Sequence, residues 1–276
     1  MKKIILFTAV IALFSFTAHS QSKQFIVDGN SQSIEITDRL DTIQKYRKNE
    51  DRSNEIVSKR AFSTTNDVSK SLYIANPGDL ESLLTDNELN TITNLTLSGN
   101  IDYRDCYTMR DKMPELKFID MENTHVKGRS GNTYGQYGNY YPYDDNIFPP
   151  EAFCNKTSLG TIILPKNITS NGLLAFAGCI NLSNVTLPEG LEMITNSSFG
   201  ECDNLTSIKI PTSVKYLYAY AFRGCDKLDS IDLSENTQLY EIGESVFKDC
   251  IALDNIILPK YLNVLWKYWY NGQKLG

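Results

Sequence analysis

Six cysteines, two histidines and a scatter of carboxylates are the side chains of this 276-residue sequence that could do chemistry. Four of the thiols, Cys179, Cys202, Cys225 and Cys250, recur at steps of 23, 23 and 25 residues. Evenly spaced thiols raise three possibilities: disulfides, a zinc site or a nucleophile. A disulfide needs Cβ atoms about 3.8 Å apart and turned toward each other. Zinc needs its sulfur ligands at about 2.3 Å from one ion, and no Cys-x-x-Cys pair occurs. A nucleophile needs a base beside it. His19 belongs to an apolar leader, so His125 would have to be that base. The run Met121-Glu122-Asn123-Thr124-His125 matches no catalytic pattern and reads as a surface turn after a strand. Asp144-Asp145 offers only what any acidic loop offers to acid–base chemistry. The glycines of Gly128–Gly138 lie among tyrosines and polar residues with no helix period following, so they make no phosphate loop. No catalytic residue, metal ligand or cofactor is assigned.

What positions the thiols is a repeat, and repeats are sought first because missing one miscalls the fold. Phe153, Phe176, Phe199, Phe222 and Phe247 are spaced 23, 23, 23 and 25, and Tyr270 continues the series at 23. Each thiol of the series follows its phenylalanine by three residues. Leucine follows at six (Leu159, Leu182, Leu205, Leu228, Leu253), Ile or Val at nine (Ile162, Val185, Ile208, Ile231, Ile256), and Leu or Ile at eleven (Leu164, Leu187, Ile210, Leu233, Leu258). Proline closes the run at Pro165, Pro188, Pro211 and Pro259, as suits a strand end without a donor. The longer step is a two-residue insertion near Asn236-Thr237. A second apolar pair follows in each unit: Leu191 and Ile194, Val214 and Leu217, Leu239 and Ile242, Leu262 and Leu265. Alternation about these residues predicts short strands with one face buried.

One such coil cannot cover its own apolar side, but a stack can. Each buried Leu, Ile or Phe contributes roughly 1.5–3 kcal/mol before entropy is subtracted. Stacking puts equivalent residues about 4.8 Å apart with parallel side chains. Cys179, Cys202, Cys225 and Cys250 therefore form a ladder of buried thiols, not bridges. Spread over about 14 Å, they cannot share a zinc ion. Cys106 and Cys154 are out of register, and a bridge between them stays open.

The unit Phe-x-x-Cys-x-x-Leu-x-x-Ile-x-Leu-Pro resembles the leucine-rich repeat of BspA-like bacterial surface and secreted proteins, over about Phe148 to Tyr270. The resemblance implies an α/β right-handed solenoid: mostly short β-strands and turns, behind a helix-containing N-terminal cap. Two positions depart from the pattern. Lys156 stands where Cys is expected, and Asn171 stands where Ile194 and Leu217 sit in later coils. A buried asparagine needs a hydrogen-bond partner.

Weaker coils precede the array. Ile92, Leu95 and Leu97 keep the same spacing, as do Leu116, Ile119 and Met121. Asn76-Pro77 reads as a helix start with Leu80, Leu83 and Leu84 on one face. Asp102 reads as a cap with Tyr103, Cys106 and Tyr107 facing in. Residues 71–126 thus form the N-terminal cap, residues 127–147 a Tyr/Gly-rich insertion, and residues 148–276 the repeats with an aromatic end. Residues 21–70 are a polar, loosely ordered leader, with short strands at Phe25–Val27 and Ile34–Ile36. Residues 1–20 carry Lys2 and Lys3, an apolar run of fourteen from Ile4 to Thr17, and Ala18-His19-Ser20. That is the pattern of a secretory signal peptide, and the run is short of the roughly 20 residues that span a bilayer. Removing Lys2 and Lys3 from the 27 basic residues leaves 25 against 33 acidic, a net charge of −8. With no basic run, nucleic acid is a poor partner.

Two surfaces are candidates for binding. One is the outward face of the strands: Thr161, Asn184, Thr186, Ser207, Lys209, Ser230, Asp232 and Asn255, with Ile163 and Ile257. Repeat arrays bind through such faces, and a plain solvated face is the alternative. The other is the loop Asn132–Asp145, where Tyr134, Tyr137, Tyr140, Tyr141 and Tyr143 crowd together. Tyrosine gives contact area with a polar tip and suits interfaces; a loop packed over the cap junction is the alternative. Trp266-Lys267-Tyr268-Trp269 reads as cover for the open end. The expectation is a non-catalytic, secreted, cell-surface or periplasmic protein that recognises an extracellular protein or glycan. By resemblance, BspA-like relatives act as adhesins. The rivals are an envelope scaffold without a host ligand and, more remotely, an enzyme using the acidic residues.

Overall fold

The computed structural model describes residues 22–27, 30–35, 67–128, 143–266 and 269. The chain divides into two compact units, Met1–Asp67 and Val68–Gly276. In the first, strands β1 (Ser22–Val27) and β2 (Asn30–Glu35) pair antiparallel with Val27 opposite Asn30. The leader therefore holds a hairpin close to where its apolar residues predict strands. The signal-peptide expectation falls on residues outside those described.

The second unit opens with long strands. β3 (Ser69–Ile74), β4 (Asn94–Ile101) and β5 (Phe118–Val126) run parallel, joined by helical crossovers. Leu95, Leu97, Ile119 and Met121 point inward, each at most 1% exposed, as their spacing predicts. The helices start where side chains satisfy the first free N–H groups. Helix α2 (Tyr103–Lys112) is capped by Asp102, which accepts from Arg104 N–H at 2.8 Å, and Asp105 closes the capping box. Cys106 is fully buried on it, as expected.

Asn76-Pro77 does not start a helix. A single 3₁₀ turn spans Leu80–Leu83, and helix α1 (Asp86–Thr91) begins only after Thr85. Thr85 and Glu88 form a reciprocal capping box, and that local chemistry sets the helix start. Leu80 and Leu84 are buried, but Leu83 is 43% exposed. His125 also differs from expectation: it lies within β5, exposed, beside Asn100 of β4.

From Ile147 on, the chain is built of short coils. The first strand column continues the N-terminal sheet through β6 (Thr161–Ile163) and β7 (Asn184–Thr186). It resumes two coils later as β10 (Ser230–Asp232), paired with β12 (Asn255–Ile257). Ser207–Lys209, expected as a strand, has no strand pairing, so the column is interrupted there. A second column holds β8 (Met193–Ile194), β9 (Tyr216–Leu217), β11 (Glu241–Ile242) and β13 (Val264–Leu265), in register. Single bridges Ile147–Ser170 and Ser170–Met193 extend it backward. Its inward residues Leu191, Ile194, Val214, Leu217 and Ile242 are fully buried. Leu262 and Leu265 of the last coil are only half-buried.

The third column is the phenylalanine turn. Rings stack from coil to coil: Phe153 on Phe176 at 5.9 Å, Phe176 on Phe199 at 5.1 Å, Phe199 on Phe222 at 5.3 Å, and Phe222 on Phe247 at 5.6 Å. Phe148, outside the 23-residue series, joins the stack against Phe153 and Phe176. Around each ring the backbone is left-handed at two positions. Two residues before the Phe lie Glu151, Leu174, Ser197, Tyr220 and Ser245; two after lie Asn155, Gly178, Glu201, Gly224 and Asp249, all with φ between 50° and 72°. This conformation turns successive alternate N–H groups the same way. Leu174, Phe176 and Gly178 each donate to a carbonyl one coil on, at Asn196, Ser198 and Gly200. The turn therefore bonds to its neighbour as a strand would, without extended backbone.

Candidate binding surfaces

The thiol ladder is as the spacing predicts, with an addition. Cys179, Cys202, Cys225 and Cys250 are buried thiols, and none of the six cysteines forms a disulfide. Each Sγ of the ladder points at the Phe carbonyl one coil back: Cys179 at Phe153, Cys202 at Phe176, Cys225 at Phe199 and Cys250 at Phe222, at 3.0–3.2 Å. Three of these carbonyls, Phe153, Phe176 and Phe222, also accept a backbone N–H, from Lys156, Cys179 and Cys225 at 2.9–3.2 Å. A carbonyl has two lone pairs, and the weak S–H donor fills the second. Burial pushes the Cys179 thiol up to about 12, and those of Cys202 and Cys225 well above their ordinary range. The thiolate is the reactive form, so these thiols are inert.

Lys156 explains its own departure. It is 5% exposed, and its ammonium donates to the Met113 carbonyl, so a longer donor fills the thiol position where the preceding coil ends differently. Burial lowers its pKa. Asn171, fully buried, accepts from Thr195 N–H at 2.9 Å and Thr195 Oγ1 at 3.2 Å, while its Nδ2 has no partner among the described residues.

On the first strand column Thr161 pairs with Asn184 and Ser230 with Asn255, while Ser207 and Lys209 lie in the unpaired gap. Asn184, Thr186, Ser207, Lys209 and Asp232 are exposed; Thr161, Ser230 and Asn255 are half-buried. Three of their polar groups are engaged locally, whereas Asn255 Oδ1 is buried with no partner among the described residues. Lys209 pairs with Glu189 at 3.3 Å, Ser230 Oγ donates to Asp229 at 2.8 Å, and Asp232 accepts Ser234 N–H at 2.9 Å. Below this face runs a polar ladder that the repeat spacing hides in plain composition. Asn204 donates to Asn181 at 3.0 Å, and Lys227 donates to Asn204 at 2.6 Å.

Of the tyrosine-rich loop, Tyr134, Tyr137, Tyr140 and Tyr141 lie outside the described residues. Tyr143 is corrected from a contact residue to a packing one. It is 7% exposed, and its hydroxyl accepts Tyr103 N–H at 3.0 Å. Asp145 clamps the loop base, accepting Gly128 N–H at 2.7 Å beside Lys127 at 3.6 Å.

The second strand column carries the surface that the sequence expectation misses. Its outward row holds Tyr216, Glu241 and Val264; Tyr218 and Trp266 follow on the outer coils, with Gly243 buried between them. Tyr216 and Tyr218 stack at 5.8 Å and 12°, and Tyr240 lies 5.9 Å from Tyr216. Tyr240 is 47% and Trp266 52% exposed. Trp266 does not cover the open end as expected; its indole N–H donates to Glu241 at 2.5 Å on the outward face. Trp269, 4% exposed, packs edge-on against Phe247 instead. One signal was available: Tyr218 and Trp266 both stand nineteen residues after their phenylalanines, flanking an inward leucine.

Among the described residues, no three His, Cys, Asp or Glu side chains are grouped to hold a metal ion. No described helix is long and apolar enough to cross a membrane. Comparison with solved structures finds similarity to several bacterial repeat proteins. A leucine-rich repeat protein from Bacteroides ovatus is 25% identical over 48% of this chain and 33% of its own, with a TM-score of 0.39. A leucine rich cell surface protein from Faecalibacterium prausnitzii is 21% identical over 63% and 52%, at 0.40. The T. pallidum leucine rich repeat protein is 23% identical over 45% and 70%, at 0.36. The chain thus spans a third of the first and about half of the second. No curated protein matches it. The family model for the BspA type leucine rich repeat region matches residues 146–275 in six copies, and no enzymatic family is matched. Stacked phenylalanines, thiols and strand pairs at one repeated spacing make residues 146–275 a leucine-rich repeat region of the BspA type.

Proposed function

We propose that the chain is an exported, non-catalytic binding module that recognises an extracellular protein or glycan, with residues 68–126 capping the N-terminal end of its array. The observation that carries this reading is a contrast in exposure. The groups able to react, the ladder thiols, are sealed, whereas large aromatic rings are held outward on a rigid frame. A module that spends aromatic side chains on its surface is equipped for contact rather than conversion.

Surface plasmon resonance of the purified chain over immobilised extracellular-matrix proteins and a glycan panel tests it. Saturable binding to one class is the expected result. Changing Tyr140 and Tyr141 to Ala then reports whether the loop shares in it. An absence of binding to both classes, together with fractionation into the cell envelope, would replace the reading with the scaffold alternative.

A further inference from the structure

We infer that the coil carrying Phe199, residues 189–211, is the array's point of articulation: the array opens between this coil and the one before it, about the phenylalanine turn. Three irregularities converge there. The first is in the first strand column. Among the described residues, Ser207–Lys209 makes no strand pair on either side, so the outward face divides into the sheet β3–β4–β5–β6–β7 and the pair β10–β12. Val185, the inward residue of β7, is half-buried beside this break, whereas Ile162 on β6 is fully buried. The second is in the turn. Lys156, Cys179, Cys225 and Cys250 each donate their backbone N–H to the phenylalanine carbonyl of their own coil, at 2.9–3.4 Å. Cys202 N–H makes no such bond among the described residues.

The third lies in the second column and singles out one seam. Asn171, fully buried on the preceding coil, takes the Thr195 N–H and hydroxyl across the seam, but its Nδ2 has no partner among the described residues. Ser198, also fully buried, stands where Ala175 and Ala221 stand in the flanking coils, and its hydroxyl is likewise without a partner among the described residues. A buried polar group left unpaired costs free energy that opening to water recovers. Strand pairing in this column crosses the seam only as the single bridge Ser170–Met193. The neighbouring seams are better held. Toward Phe153 the bridge Ile147–Ser170 is also single, but β6 and β7 pair over three residues. Toward Phe222, β8 and β9 pair over two residues, with Ile194 and Leu217 fully buried.

The turn is what stays closed. Phe176 and Phe199 stack at 5.1 Å, the shortest step along the repeated phenylalanines. The N–H groups of Leu174, Phe176 and Gly178 donate across the seam to Asn196, Ser198 and Gly200. With only this column intact, the seam opens like a leaf on that edge, and the angle between the two parts of the outward face follows. Each coil touches only its neighbours, so the weakest seam sets where the array opens locally. The thiol ladder reports the opening. Cys202 Sγ bonds the Phe176 carbonyl across this seam, whereas Cys179 and Cys225 bond across the seams on either side.

The experiment is native-state labelling of the purified chain with N-ethylmaleimide, quenched early and read cysteine by cysteine by mass spectrometry. Amide hydrogen exchange is followed in parallel. Cys202 should be modified about tenfold faster than Cys179 and Cys225, equivalent to ~1.4 kcal/mol less opening free energy. The amides of Glu192, Met193 and Thr195, which bond across the seam, should exchange faster than those of Lys215, Tyr216 and Tyr218, their equivalents one coil on. Phe176 and Gly178 amides should stay as protected as those of Phe222 and Gly224. Asn171→Leu with Ser198→Ala gives the seam the residue types of its neighbours and should bring Cys202 labelling down to the rate of the flanking thiols. Ser198→Ala alone should slow it part of the way. Equal rates at the three thiols, or a double variant that leaves Cys202 as fast as before, overturns the articulation. Exchange at Phe176 as fast as at Met193 overturns the hinge, because the seam would then part along its whole width.

Discussion

Residues 68–126 and 147–266 both stack parallel strands but are held in order by different means. In the first, strands of six to nine residues pair over most of their length, and the crossovers are fixed by side-chain caps. Asp105 is the hub there: buried, it accepts N–H groups from Gly78 at 2.7 Å, Leu80 at 3.0 Å and Asp102 at 2.9 Å. In the second, strands of two or three residues contribute little pairing each. Order comes from columns of like side chains and from a left-handed backbone repeated at fixed places. Local chemistry fixes residues 68–126, and identity between neighbours fixes the array. The first can therefore be read one residue at a time, the second only by comparing coils.

That contrast can be broken at its strongest point in the array. Phe199 is fully buried between Phe176 and Phe222. Phe199→Ala should cost about 3–5 kcal/mol in denaturant unfolding and split the transition, since each coil contacts only its neighbours. A single transition displaced by under ~1 kcal/mol would mean that the stack is not what orders the coils. On the other side of the comparison, Asp105→Ala should cost about 3 kcal/mol by leaving buried N–H groups unpaired. The loss should appear as hydrogen exchange at Gly78 and Leu80, with the array's amides unaffected. Exchange spreading into the Phe turns would erase the distinction.

Smaller effects sharpen it. Gly224 has φ 71°, so Gly224→Ala should destabilise by about 1–2 kcal/mol through backbone strain. Glu201→Gly, at the matching position one coil earlier with φ 57°, should stay within about 0.5 kcal/mol of wild type. Equal losses from both would show that side-chain contacts, not conformation, set that column. The smallest effect belongs to Glu88, in residues 68–126. Hydrogen bonds from Lys70 and Thr85 hold its carboxyl down at about 2, against 4.5 when unfolded. A lowered carboxyl pKa contributes stability above pH 4.5 that is lost as pH falls toward 2. The Tm difference between wild type and Glu88→Gln should therefore shrink over that interval and stay constant above it.

Much of this was legible in the sequence, for a physical reason. A column needs the same side chain at the same offset, so Phe, Cys, Leu and Ile announce the stack directly. Leu95, Leu97, Ile119 and Met121 carried the same spacing into residues 68–126. The start of α1 was misread because Asn76-Pro77 resembles a helix opening, while Thr85-x-x-Glu88 makes the stronger one. Ser207–Lys209 keeps the pattern but lacks the pairing, which alternation alone cannot reveal. The aromatic face was hidden because its rings do not share one offset: Glu241, not Tyr240, stands opposite Tyr216. The thiol-to-carbonyl bonds were invisible because periodicity shows which residues are equivalent, not what each touches.

The column two residues past each phenylalanine has one further consequence. It reads Asn155, Gly178, Glu201, Gly224, Asp249. A Cβ at Gly178 would sit 2.2 Å from the Asn155 amide oxygen, and one at Gly224 would sit 2.5 Å from the Glu201 carboxylate. Each bulky member lies across the vacant seat of the next, and the sequence sets Gly272 at the same offset from Tyr270. The array therefore has parity: odd and even turns are not interchangeable. Lengthening or shortening it by a lone turn would bring two bulky members, or two bare ones, together, so the natural quantum of growth for this architecture is a pair.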